Sequence, residues 1–165
     1  MKSMFRNLIF AILASILFLS PANSVNALEG LARFDNRKDT IVFLQVAVTP
    51  EEKTKGLMNV TNLPSNRGMV FVFRPASAIT FWMKDTLISL DMIFVNNGQI
   101  VKIAKNTVPN QTSTLYPSDK EVTEVIEVNG GFSDAHGISV GDKVEFENIS
   151  QIDYSKKSTL MIIKK

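Results

Sequence analysis

The segment from Leu90 to Ala104, L-D-M-I-F-V-N-N-G-Q-I-V-K-I-A, constrains the fold more than any other part of the chain. An apolar run meets Asn96-Asn97-Gly98 and continues into a second run rich in β-branched residues. Asn and Gly tolerate the positive φ that a tight turn needs, so the segment predicts a β-hairpin. Successive strand side chains alternate between faces, which puts Leu90, Met92 and Phe94 on one face and Asp91, Ile93 and Val95 on the other. Asp91 therefore falls on an apolar face, where a carboxylate requires a partner or a raised pKa. Arg74, Lys84, Lys102, His136 and backbone N–H groups are its candidate partners.

The flanking sequence supports the same fold class. Ile41 to Val48 is apolar at both alternating positions and predicts a central strand covered on both sides. Thr49-Pro50-Glu51-Glu52 supplies an N-cap, a proline at the first helical position and acids in the first turn, so a short helix should run to Gly56. Leu57 to Arg67 reads as a loop, and Gly68 to Phe73 as a strand ended by Arg74-Pro75, because proline cannot donate to a ladder. Lys105 to Glu121 is polar, aperiodic and long for a compact domain, which fits a functional lid or a surface excursion. Val122 to Val128 and Lys143 to Glu147 read as strands, Ala135-His136-Gly137 as a helical turn, and Ser158 to Lys165 as an edge strand. Closely spaced turns with one or two short helices predict a mainly β fold, a compact β-sandwich or squat barrel, and disfavour a parallel α/β sheet. A single domain over 40–148 would follow an N-terminal arm, 28–39, and precede a tail or edge strand, 149–165.

The first residues have a different character. Lys2 and Arg6 precede an apolar run, Leu8 to Leu19, which is followed by Pro21 and the small residues of Val25-Asn26-Ala27. This is the pattern of a signal peptide, 1–27; about a dozen apolar residues fall short of the ~20 that span a bilayer. The expectation is export to the periplasm or the exterior, with no stable membrane anchor after cleavage. The chain has 18 basic and 16 acidic residues, and loss of Lys2 and Arg6 leaves 16 of each. A neutral mature protein gives no reason to expect a nucleic-acid partner. With no cysteine, neither lipid attachment nor a disulfide is available, and stability must come from packing.

The chemistry-bearing residues cluster in Thr80 to Val95. Gly137-Ile138-Ser139-Val140-Gly141 matches the nucleophile-elbow pattern in letters only, since a strand follows it and the sole histidine, His136, precedes it. No zinc or phosphate motif is present, and no cofactor is expected. Trp82, Lys84, Asp85 and Asp91 form the candidate ligand-binding set, which suits a non-catalytic exported domain that binds a small polar or saccharide-like ligand or an envelope protein. A second reading makes Asp85 and Asp91 the carboxylate pair of a hydrolase. A third makes Met69, Met83, Met92 and His136 a Cu(I) site, because thioethers are soft ligands.

Several blocks in order resemble one family. They are Gly56-Leu57-Met58, Gly68 to Phe71, Phe81-Trp82-Met83-Lys84-Asp85-Thr86, Leu90 to Val95 with Gly98, Val125 to Gly131, and Gly141 to Val144. Together they are similar to family 192 of the domains of unknown function, over about Thr40 to Phe146. Ser89 stands where that family commonly has proline, and Asn97 where it commonly has an acid. The resemblance implies a small, mainly β domain, found in bacteria and archaea and often behind a signal peptide, with no established reaction.

Overall fold

The computed structural model describes residues 29–35 and 40–149. The leader 1–27 and the edge strand expected over Ser158 to Lys165 lie outside the described residues.

Among the described residues nine strands and two short helices follow one another as β1 (Glu29–Phe34), β2 (Ile41–Ala47), α1 (Pro50–Lys55), β3 (Arg67–Ser77), β4 (Thr80–Phe81), β5 (Leu90–Asn96), β6 (Gln99–Ala104), β7 (Tyr116–Pro117), β8 (Val122–Asn129), α2 (Phe132–Ala135) and β9 (Val144–Glu147). Seven strands form one sheet in the order β6-β5-β8-β3-β2-β1-β9, while β4 and β7 make a separate ladder. The large sheet curls into a half-barrel. Its two edges meet at one bridge, Gln99 to Lys143, where Val144 N–H donates to the Gly98 carbonyl at 2.8 Å. The mainly β expectation therefore holds, in the squat-barrel form.

Local chemistry explains the best-predicted elements. The Thr49 side chain accepts the Glu52 N–H while the Glu52 carboxylate accepts the Thr49 N–H, a capping box that starts α1, and Gly56 ends the helix at φ 45°. Asn97 and Gly98 adopt φ 48° and 76° in the β5–β6 turn, as a tight hairpin requires.

Three expectations need correction. The N-terminal arm contains a paired strand, β1, which lies between β2 and β9. Strand β3 continues through Arg74-Pro75 to Ser77, because the ladder with β8 shifts between Val72 and Ser77 and no pairing is demanded of the proline. Strand β2 is interior but not central, and Ile41, Phe43 and Gln45 keep exposed surface on one face. Among the described residues only β2 and β3 pair in parallel, joined by a crossover that contains α1, so the sheet is not a parallel α/β sheet, as expected.

Two apolar layers flank the sheet. The inner one draws on all seven strands, with Ala32, Leu44, Val70, Ile93, Ile100, Ile126 and Val144, and is plugged by Phe132 and Ile138. The outer one comprises Met69, Phe71, Leu90, Met92, Phe94 and Val125, covered by Leu57 after α1, by Met83 and Phe81, and by Tyr116 from the long excursion. With apolar matter on both sides, β5 is buried from Leu90 through Val95.

Candidate functional site

Three carboxylates lie inside this frame, and their surroundings separate them. Asp91 is fully buried, on the face of Ile93 and Val95 that alternation assigns it. Its Oδ1 accepts N–H bonds from Asn106 at 2.8 Å and Gly131 at 3.1 Å, and its Oδ2 accepts that of Ser133 at 2.8 Å. Of the candidate partners, the backbone amides hold it. The carboxylate ties the loop after β6 and the start of α2 to β5, which is how a buried acid is satisfied without a cation.

Glu124, also buried, binds the Arg74 guanidinium at 2.5 Å and accepts the Thr123 hydroxyl. Glu127, three residues further along β8 and so on the opposite face, is different. It is 5% exposed and has neither a hydrogen bond nor an ion pair among the described residues. Burial alone pushes its carboxyl from 4.5 up to about 8. Its register partners are Met69 on β3 and Met92 on β5, so the acid sits between two thioether side chains on the outer face. Gly56 lies above it, where an added Cβ would stand 3.9 Å from Glu127 Oε2. Sequence reasoning missed Glu127 because V-I-E-V reads as a strand with one wet face. The only signal in the chain is the long apolar run of β5, which hints that the neighbouring strand is covered on both sides.

The remaining sequence-derived candidates fall into two places. Trp82, Lys84 and Asp85 stay together on the exposed loop between β4 and β5, while Asp91 is buried on the inner face of β5. Asp85 and Asp91 thus present no shared face, and the carboxylate pair of a hydrolase is not assembled. Met69, Met83 and Met92 do meet, all in the outer layer. His136 does not join them, because it packs on Phe132, which belongs to the inner layer, at a ring separation of 4.3 Å.

The Trp82 loop is rigidly built. Phe81 pairs with Tyr116 in the β4–β7 ladder and packs edge-on against Phe71 at 4.9 Å. Met83 N–H donates to Gln111 at 3.2 Å, Asn110 N–H to Thr86 at 2.9 Å and Asn59 N–H to Asp85 at 2.8 Å. The long excursion is thereby stitched to the Trp82 loop. Yet on these two stitched loops Trp82, Leu87, Val108 and Leu115 remain 43–56% exposed; they are four of the five exposed large hydrophobics among the described residues. Lys84 Nζ stands 5.5 Å from the Trp82 ring centroid.

Comparison with known proteins adds relatives but no reaction. The profile of DUF192, described as an uncharacterized ACR, matches residues 32–146. No functionally curated protein matches the chain. Among solved structures, the chain is similar to a Sinorhizobium meliloti 1021 protein provisionally described as a transcription regulator. The two are 30% identical with a TM-score of 0.67, over 72% of this chain and 92% of that one. It is also similar to a protein of unknown function from Novosphingobium aromaticivorans, 35% identical with a TM-score of 0.67, over 74% of this chain and 89% of the other. With its ordered motifs, its half-barrel and this coverage, the chain belongs to the DUF192 family.

Proposed function

We propose that this chain is an exported, non-catalytic module that binds a partner protein in the cell envelope through the face formed by Trp82, Leu87, Val108 and Leu115. The observation that carries the reading is the exposure of four large apolar side chains on two loops held by backbone hydrogen bonds. Large apolar groups left in water on an ordered surface are the usual mark of a contact site, and tryptophan is the residue most enriched at the energetic centre of interfaces. Lys84 and Asp85 would supply the polar rim. Export rests on the leader pattern of residues 1–27, and the neutral mature charge gives no support to a nucleic-acid partner.

A saccharide-like ligand is the second reading. It is favoured by the contiguity of an exposed indole with Lys84 and Asp85, since sugars stack an apolar face on an aromatic ring and bond polar groups at its edge. Site-specific photocrosslinking in the producing cell separates the two. A crosslinker at position 87 or 108 should give a discrete protein adduct, and one at Glu145 should not. Adduct-free protein at positions 87 and 108, with a Trp82 emission shift on adding envelope saccharides, would favour the sugar.

A further inference from the structure

We propose that Met69, Glu127 and Met92 bind one Cu(I) ion, with two thioether sulfurs and one carboxylate oxygen as its ligands. This site is separate from the loop face around Trp82. The three residues are register partners on adjacent strands, Met69 with Glu127 and Glu127 with Met92, so they form one row across β3, β8 and β5. Residues paired in this way point to the same face, and neighbouring strands lie ~4.8 Å apart. All three are more than nine-tenths buried, and Met83 closes the same layer.

Glu127 supplies the reason to look for a ligand here. Asp91 and Glu124 show how this protein satisfies a buried acid, with backbone amides in one case and a guanidinium in the other. Among the described residues Glu127 is the one of the three with no such partner, although it is 5% exposed and borders the outer apolar layer. The donor set then selects the ion. Thioethers are soft and favour Cu(I) over Zn(II), Mg(II) or Ca(II). No group of three His, Cys, Asp or Glu residues that could hold a metal occurs among the described residues. A single carboxylate neutralises a monovalent cation, whereas a divalent one would leave a net charge in a low-dielectric site.

The binding step balances without electron transfer. The ion arrives as Cu(I) and keeps that oxidation state while the two thioether sulfurs and one Glu127 oxygen bond it. His136 has no part, since it packs against Phe132 on the other side of the sheet.

Anaerobic competition between the whole purified protein and a colorimetric Cu(I) chelator tests the proposal, with Ag(I) as a redox-inert second probe. Wild type should take up one equivalent of either ion with a Kd below micromolar. Glu127→Gln, which keeps the shape of the protonated acid, and the double variant Met69→Leu/Met92→Leu should each weaken binding on the order of 100-fold or more. His136→Ala should bind like wild type. Wild-type binding no tighter than micromolar, or undiminished binding by Glu127→Gln, would overturn it. The wild-type affinity for Cu(I) and Ag(I) needs no variant to fold.

Discussion

Asp91 Oδ2 accepts the backbone N–H of Ser133 at 2.8 Å, joining strand β5 to the start of α2 across 42 residues of chain. The second oxygen holds Asn106 and Gly131 in the same way, so a single carboxylate closes one end of the half-barrel. Asp91→Ala would strand one buried donor, Ser133 N–H, and two part-buried ones, Asn106 and Gly131 N–H; a buried donor left unpaired costs about 1–3 kcal/mol, and the part-buried ones less. A destabilisation of at least ~3 kcal/mol is expected in urea unfolding. Asp91→Asn keeps one acceptor oxygen and should lose less. A change below ~1 kcal/mol in Asp91→Ala would show that these bonds do not hold α2.

Glu127 makes stability depend on pH in a particular direction. Its folded pKa, about 8, lies above its ordinary 4.5, so the folded state binds a proton more tightly than the unfolded state does. Its contribution is intact below pH 4.5, declines as pH rises, and is lost once pH passes about 8. The full loss is on the order of 5 kcal/mol. Metal-free wild type should therefore lose several kcal/mol more than Glu127→Gln between about pH 5 and pH 9, measured by denaturant unfolding at both values. Parallel pH profiles for the two proteins would remove the account of Glu127.

Gly68 opens β3 where it is squeezed between β2 and β8. A Cβ there would come within 2.4 Å of the Glu127 carbonyl and 3.0 Å of Val128 Cγ1. The first obstacle is backbone, which cannot rotate away. Gly68→Ala should cost ~2 kcal/mol or more through strand displacement. A thermal midpoint within a degree of wild type would contradict this close packing.

Elements with local causes were legible in the chain. Thr49 to Glu52 carries its own helix start, Asn97-Gly98 its own turn, and the alternation in Leu90 to Val95 placed Asp91 on the inner face correctly. Strand β1 was not legible. Its inward positions are Gly30, Ala32 and Phe34, and the first must be small because a Cβ would stand 2.5 Å from Ile149 Cγ2, contributed from the far end of the domain. The apolar signal is thus weak for a reason that lies 119 positions away in the chain. The partners of Asp91 were equally remote, and so was the cover that turns Glu127 from a surface acid into a buried one. The Trp82 loop was found from its composition, but the exposure that favours a contact face depends on its stitching to Asn110 and Gln111.

Removing the apolar face should leave the fold intact, since Trp82 and Leu115 are about half exposed and their truncation leaves no cavity in either layer. Trp82→Ala/Leu115→Ser should change stability by no more than ~1 kcal/mol.

Crosslinking in that background tests the central claim most directly. With the photocrosslinker at position 108, the otherwise unmodified protein should yield one discrete adduct in the producing cell. The Trp82→Ala/Leu115→Ser protein, at equal abundance and with an unchanged Tm, should yield less than about a tenth as much, as expected when the central residues of an interface are lost. Equal adduct from both proteins would contradict the assignment of this face, and no adduct from either would contradict a protein partner altogether.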